Sequence, residues 1–331
     1  MPANYPTLMD VARRSGDPSI SNIVEILNKS NPILDDIPWI ECNSGVTHVT
    51  TIRTGIPTPT WRMLNAGVPL GKSTTKQIKA HCGMLEIYSE IDAKQVDLAR
   101  RNGGQQGAAD YLASENVAFI EGFGQEIARV FFYGDPSLPA EPVGLCNYYT
   151  GLPSGSETNV LDGGGQGSDN TSIWVIQWGP DSVHGLYPQG SKAGLSEKYL
   201  GVHTVKDASG NQFQAHRTHY GWDAGLVVRD WRSAVRIANV DLSDAVANAA
   251  GAVDILTTLT KAVYKLPKKS SQSRTAIYMR KELITLLDLQ CQSKSNLLLS
   301  YADISGRPVL HFRGIPIREQ ETLLATETLV A

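Results

Sequence analysis

"GQQGAADYLASENVAFIEGFGQEIARVFFYGDPS", residues 104–137, places Ala109, Leu112, Ile120, Phe123, Ile127 and Val130 at three- and four-residue steps. That spacing belongs to a helix with one apolar face. Gly134 and Pro136 then supply a stop signal. The pattern predicts a helix over 107–133, roughly 40 Å long at a rise of 1.5 Å per residue. Its core-facing stripe is Leu112, Ile120, Phe123 and Ile127. Gly122 and Gly124 each cost about 1 kcal/mol relative to alanine inside a helix, so they are expected where backbones approach closely.

Upstream, from Pro38 to about Asp92, the chain changes character. "VTHVTTIRTG" (46–55) is rich in threonine and β-branched residues, and "KSTTKQIKAHCGMLEIYSEID" (72–92) alternates polar and apolar residues in its first half. Between them, "IPTPTWRMLNAGVPLG" holds three prolines and two glycines. The pattern predicts a long two-armed hairpin with an irregular tip. A lone two-stranded ribbon is marginal in water, so it is expected to lie against something else, such as another subunit. Before it, residues 1–18 read as a polar arm. "DPSISNIVEILNKSNP" reads as a short amphipathic helix over about 19–29, with Asp17 as cap and Pro18 at its first turn.

Downstream, strands are expected at 172–178, 199–206, 211–217 and 225–238, with a turn at 207–212. An alanine-rich helix capped by Asp241 or Ser243 follows at about 243–263. The basic stretch "KLPKKSSQSR" leads to a strand at 275–279, a short helix at 280–289 and terminal strands that include "GRPVLHFRGIPIREQETLL".

Composition narrows the function. The 331 residues carry 30 Lys+Arg against 33 Asp+Glu, a formal charge of -3, so the basic excess of a dedicated nucleic-acid binder is missing. Cys42, Cys82, Cys146 and Cys291 show no C-x-x-C spacing. With no secretory signal pattern, they read as reduced, packed thiols of a cytoplasmic protein. No apolar run approaches the roughly 20 residues of a membrane span.

Motif chemistry is equally thin. "GLYPQGSK" (185–192) misses the phosphate-binding loop, because Ser191 and Lys192 are in swapped order and Pro188 removes a backbone donor. "GGGQG" (163–167) enters a strand, so no helix N-terminus waits behind it for a phosphate. His216 and His219 in "HRTHYGWD" sit three apart on an expected strand and point to opposite faces, which argues against a shared metal with Asp223. No G-x-S-x-G and no H-E-x-x-H occurs, and the Asp35–Asp36 carboxylates alternate in direction. No catalytic, cofactor or metal residues are assigned, and the chain is read as a non-enzyme. "LVVRDWRSAVRIANVD" (226–241) interleaves Arg229, Arg232 and Arg236 with Trp231. On one continuous strand Arg232 and Arg236 share a face and Arg229 lies opposite, which favours folding or subunit contacts, with Asp223, Asp230 and Asp241 as partners.

The order of arm, long hairpin, long helix and mixed β/α region resembles the major capsid proteins of tailed bacteriophages, which share the Hong Kong 97-type fold. "SISNIVEILN", "ILDDIPWIECN", "TIRTGIPTPTWRMLN", "FFYGD", "LDGGGQGSDNTSIWVIQWGP", "VHGLYPQGSKAGL" and "THYGWDAGLVVRDWRSAVRIAN" resemble segments of the capsid protein family of the podovirus epsilon 15. The resemblance implies an α+β Hong Kong 97-like fold. An N-terminal arm with a short helix would occupy 1–42 and an extended loop 43–90. The peripheral domain would take 91–150, with 107–133 as its spine helix, and a mainly axial domain 151–300. C-terminal strands at 301–331 would return to the peripheral domain. The glycine run then resembles a mobile loop before a core strand of the axial domain.

The implied function is a head shell protein that self-assembles into hexamers and pentamers of an icosahedral phage head around double-stranded DNA. The alternative is a β-rich phage tail or decoration binding protein. Implied partners are copies of itself, scaffolding and portal proteins, a cementing or decoration protein, and DNA held non-specifically; the location is the virion, after assembly in the host cytoplasm. Trp39, Arg53, Trp61, Arg62, Lys72, Lys76 and Arg232 are the candidate inter-subunit contacts. Some members of the wider fold crosslink Lys to Asn. Lys72, Lys76 and Lys79 sit on the loop, but no partner Asn or catalytic acid is matched, so no covalent crosslink is expected.

Overall fold

The computed structural model describes residues 31–138, 140–152, 159–206, 210–247, 253–267, 273–293, 299–304 and 307–331. The arm and the helix expected at 19–29 lie outside the described residues.

The described chain opens with a short helix, α1 (Pro32–Asp36), and strand β1 (Trp39–Glu41). Next come β2 (Thr47–Gly55) and the long β3 (Thr74–Asp92). They pair antiparallel from Thr47↔His81 to Gly55↔Thr74. Only the first half of β3 belongs to this ribbon; from Cys82 to Asp92 it pairs with a strand of the main sheet.

Helix α2 (Ala93–Tyr133) follows without a loop. The helical run begins upstream of the expected 107, although the spine proper starts close to it. Asp92 caps the helix by accepting from the Lys94 N–H at 2.8 Å, which satisfies an orphan donor of the first turn. A break at Gly104 (φ 67°) separates this first segment from the spine proper. The positive φ explains why glycine stands there. Gly134 ends the helix, and its N–H donates to the Val130 carbonyl at 2.7 Å.

Strands β4 (Val160–Asp162), β5 (Asn170–Trp178), β6 (Val183–Tyr187), β7 (Ser196–Lys206), β8 (Gln212–Val228) and β9 (Ala234–Asp241) come next. The strands expected at 211–217 and 225–238 are thus divided differently: β8 runs through both glycines of "HYGWDAG", and the chain breaks at a short 3-10 turn, Trp231–Ser233. The alanine-rich helix is two helices, α3 (Leu242–Ala247) and α4 (Ile255–Lys265). Asp241 caps α3 through the Asp244 N–H at 3.1 Å. Asp254 caps α4 through the Thr257 N–H. Strand β10 (Arg274–Met279), helix α5 (Lys281–Ser293) and strands β11 (Leu299–Ile304), β12 (Arg307–Phe312) and β13 (Ile315–Glu319) complete the described elements.

The strands form one mixed sheet whose main path is β11-β12-β13-β10-β5-β6-β8-β3-β2, with β9 and β4 branching from β5. Strand alternation sends successive residues of β5 to opposite faces. Trp174, Ile176 and Trp178 join the spine residues Ile120, Phe123, Ile127 and Phe131 in one core. Ile173 and Val175 join Ile255, Leu259, Leu283 and Leu287 of α4 and α5 in a second core on the other face. The sheet is thus a shared wall between two helix layers, an α+β arrangement.

Of the expected spine stripe, three residues are deeply buried. Ile120, Phe123 and Ile127 are each 4% exposed, while Leu112 packs half-buried against Ile91, Val96 and Ala108. Ala108, and not Ala109, carries the stripe at that end. Gly122 meets nothing within 4 Å where a Cβ would stand, so the close contact expected there is absent.

Candidate assembly surface

The ribbon leaves the sheet where Gly83 passes under the loop at 140–142; a Cβ there would lie 2.6 Å from the Ala140 carbonyl. Asn43 extends the pairing at the base, donating to the Val49 carbonyl at 2.7 Å and accepting its N–H at 2.9 Å. His81 reaches the Glu141 carbonyl at 2.8 Å. Beyond this anchored base the two arms run out with no third strand among the described residues. At Gly55 a side chain would collide with Thr74, so glycine is what lets the two arms stay paired there.

The tip turns at Asn65, whose φ of 64° suits asparagine better than most residues. Ile56, Trp61, Met63, Leu64 and Leu70 are almost wholly exposed. So many large apolar side chains left exposed together are a feature of interaction sites. Between residues 43 and 85 the sequence has no aspartate or glutamate, while Arg53, Arg62, Lys72, Lys76 and Lys79 are all cationic. Arg53, Trp61, Arg62, Lys72 and Lys76 are exposed along this ribbon. Trp39 is corrected: it is 3% exposed and packs between Phe131 and Trp222 at ring-centroid distances of 5.9 and 6.1 Å. Its large ring serves the subunit's own core.

On the body, β3 and the spine enclose a shallow apolar hollow lined by Leu85, Glu86, Ile87, Phe119, Phe123 and Glu126. An adjoining hollow adds Met84, Val130, Glu141 and Trp222. The lining is mostly apolar with Glu86, Glu126 and Glu141 among it, and Arg129 pairs with both Glu126 (2.6 Å) and Glu141 (3.3 Å).

The arginine trio does not share a strand. Arg229 follows β8 and pairs with Asp181 at 3.0 Å. Arg232, in the 3-10 turn, is exposed and bonded twice to Asp230. Arg236, on β9, is buried and pairs with Glu327 at 2.7 Å. The face-sharing argument fails because the turn at Trp231–Ser233 interrupts the strand. Of the expected partners Asp230 serves, while Asp223 and Asp241 bond none of the three arginines among the described residues.

The other candidates resolve into structure. Gly163 and Gly165 donate to the carbonyls of Ala238 and Asn239 at 2.7 and 2.8 Å, so the glycine run is strapped to β9. A Cβ at Gly163 would collide with the Asn239 carbonyl at 2.7 Å, and this close approach is the reason for glycine. In the near-miss phosphate loop, the Gly190 N–H already donates to the Glu41 carboxylate at 2.7 Å. His216 bonds Tyr199 and His219 faces Glu86, on opposite sides of β8. Among the described residues no group of three or more His, Cys, Asp or Glu is arranged for a metal.

Sequence reading missed a buried histidine pair. His48 of β2 and His184 of β6 meet edge to face at 5.9 Å. Burial first, then His48 and Arg229, push the His184 imidazole down to about 3. Burial and Arg229 also lower His48.

A body with helices on both faces of one sheet carries a ribbon that no other described strand supports, the build expected of a head shell subunit. The family model for major capsid protein GP7 matches residues 15–331, and the chain belongs to that family. It is similar to a chain in the near-atomic-resolution structure of bacteriophage epsilon15, with 31% identity, 89% of this chain and 88% of that chain covered, and a TM-score of 0.68. Weaker likenesses include the capsid of a native GTA particle (8% identity, 63% and 90% covered, TM-score 0.43) and Mycobacterium phage Bobi (10%, 63% and 90%, 0.43). No curated protein matches. The chain is thus a phage head shell protein, a component of the virion, and works as one of many copies.

Proposed function

We propose that the shell is an icosahedral head of hexamers and pentamers enclosing double-stranded DNA, and that the ribbon of one copy lies over the spine hollow of its neighbour. The observation that carries this is the ribbon itself, with an apolar tip, five cations and no acid between residues 43 and 85, beside a body whose hollows count Glu86, Glu126 and Glu141 among their lining. Opposite charge steers such an encounter, and the buried apolar tip supplies most of the affinity. Arg53, Trp61, Arg62, Lys72 and Lys76 are the contacts assigned to this interface, with Arg232 as a separate surface contact.

The arm at 1–42, loop at 43–90, peripheral domain at 91–150, axial domain at 151–300 and returning C-terminal strands at 301–331 form the working division of the chain. Scaffolding and portal proteins would guide assembly in the host cytoplasm, a cementing protein could clamp the finished shell, and DNA would meet inner-face Lys and Arg through its phosphates. Trp61→Ser tests the interface. The reading expects unchanged subunit melting and a loss of particles by sedimentation. Normal particle yield would overturn it.

A further inference from the structure

Cys42, just past β1, and Cys82, on β3, are 40 residues apart in sequence, yet their sulfurs lie 3.4 Å from each other. Neither is in a disulfide. The approach is built into the sheet. Cys82 pairs with Gly225 of β8, which in turn pairs with Leu186 of β6. A Cβ at Gly225 would stand 3.1 Å from the Cys82 sulfur, so the missing side chain is what lets that sulfur lean across β8 toward Cys42. Ala80, Leu186 and Val227 close around the two thiols. The Cys42 N–H is fixed on the Tyr187 carbonyl and the Cys82 N–H on the Val46 carbonyl, both at 2.9 Å. Everything between the two cysteines is the ribbon and its base.

We infer that Cys42 and Cys82 form a disulfide latch that closes the base of the ribbon when the particle meets an oxidising medium. The sulfurs must approach by just over an ångström to reach the roughly 2.05 Å of a disulfide. A reducing compartment keeps thiols apart, whereas a virion outlives the cell that made it. With hydrogen peroxide as oxidant, one thiol gives up its proton, its thiolate attacks a peroxide oxygen and becomes a sulfenic acid, and the O–O bond breaks as the leaving hydroxide takes that proton and departs as water. The second thiol then attacks that sulfur, the S–S bond forms and a second water leaves. Two thiols are oxidised by two electrons and one peroxide is reduced to two waters. Burial raises both thiols above their ordinary range, which makes the step slow and confines it to small oxidants.

The ribbon supplies the test. The full-length protein is treated with hydrogen peroxide, nicked by protease within the exposed tip at 56–73, and run on a denaturing gel without reductant. The fragment before the nick has Cys42 as its one cysteine, so the two fragments can stay joined only through it. The latch predicts joined fragments, separation on adding reductant, and separation without reductant in both Cys42→Ser and Cys82→Ser. Fragments that part without reductant after peroxide, or that stay joined in Cys82→Ser, overturn it. The readout is independent of particle formation, so its failure leaves the interface proposal standing.

Discussion

Arg236 and Glu327 form a buried ion pair, 2.7 Å between nitrogen and oxygen, with each side chain 6% exposed. The pair fastens the C-terminal tail to β9. Glu327 also accepts from Tyr133 at the end of the spine and from Ser172 of β5, and Arg236 donates to Ser172 at 2.9 Å and to the Tyr149 carbonyl at 2.9 Å. One carboxylate thus joins tail, spine and sheet.

Glu327→Ala leaves the guanidinium buried without its counter-ion. Breaking a buried pair on one side costs about 3–5 kcal/mol, so urea unfolding should lose that much. Arg232→Ala, at an exposed pair with Asp230, should lose at most about 1 kcal/mol. Equal losses at the two sites would refute the assignment.

Phe123→Asp places a carboxylate in the spine stripe beside Tyr220, whose ring lies 6.5 Å away. An unpaired buried charge costs several kcal/mol, and the variant should be insoluble or molten by near-UV circular dichroism. A soluble variant with native melting would show that the stripe is not a core.

Acid should weaken the fold through His184. Its folded value is pushed down to about 3, against about 6.5 when unfolded. The unfolded chain therefore binds more protons between these limits. The stabilisation is present above pH 6.5 and is lost as pH falls toward 3. His184→Leu removes the titrating group, so its melting temperature should fall less than the parent's between pH 7.5 and pH 5. Parallel decreases would exclude this role.

Free subunits should be cut by protease within 56–72, and assembled particles should resist. The exposed tip side chains motivate this; equal sensitivity in both states would count against burial of the ribbon at an interface.

The spine was legible because burial on one side writes itself into a 3.6-residue period, and the ribbon because threonine-rich arms flank a proline-rich tip. The start of α2 was less so. Its first turns are polar, with Val96 a deeply buried apolar residue before Gly104. Arg236 was assigned nearby aspartates as partners because its actual partner, Glu327, lies 91 residues further on. The Cys42–Cys82 and His48–His184 pairs are likewise products of strand order, which no local pattern encodes. Trp39 was misplaced for a related reason: an isolated tryptophan beside a polar ribbon looks like its neighbours until the core it enters is known.

Electron microscopy of the purified full-length protein, concentrated under assembly conditions and negatively stained, tests the central claim most directly. The account predicts closed shells or capsomer-sized sheets, abolished by Trp61→Ser at the ribbon tip. A uniform field of small monomeric particles under every condition, with the subunit folded, would contradict it.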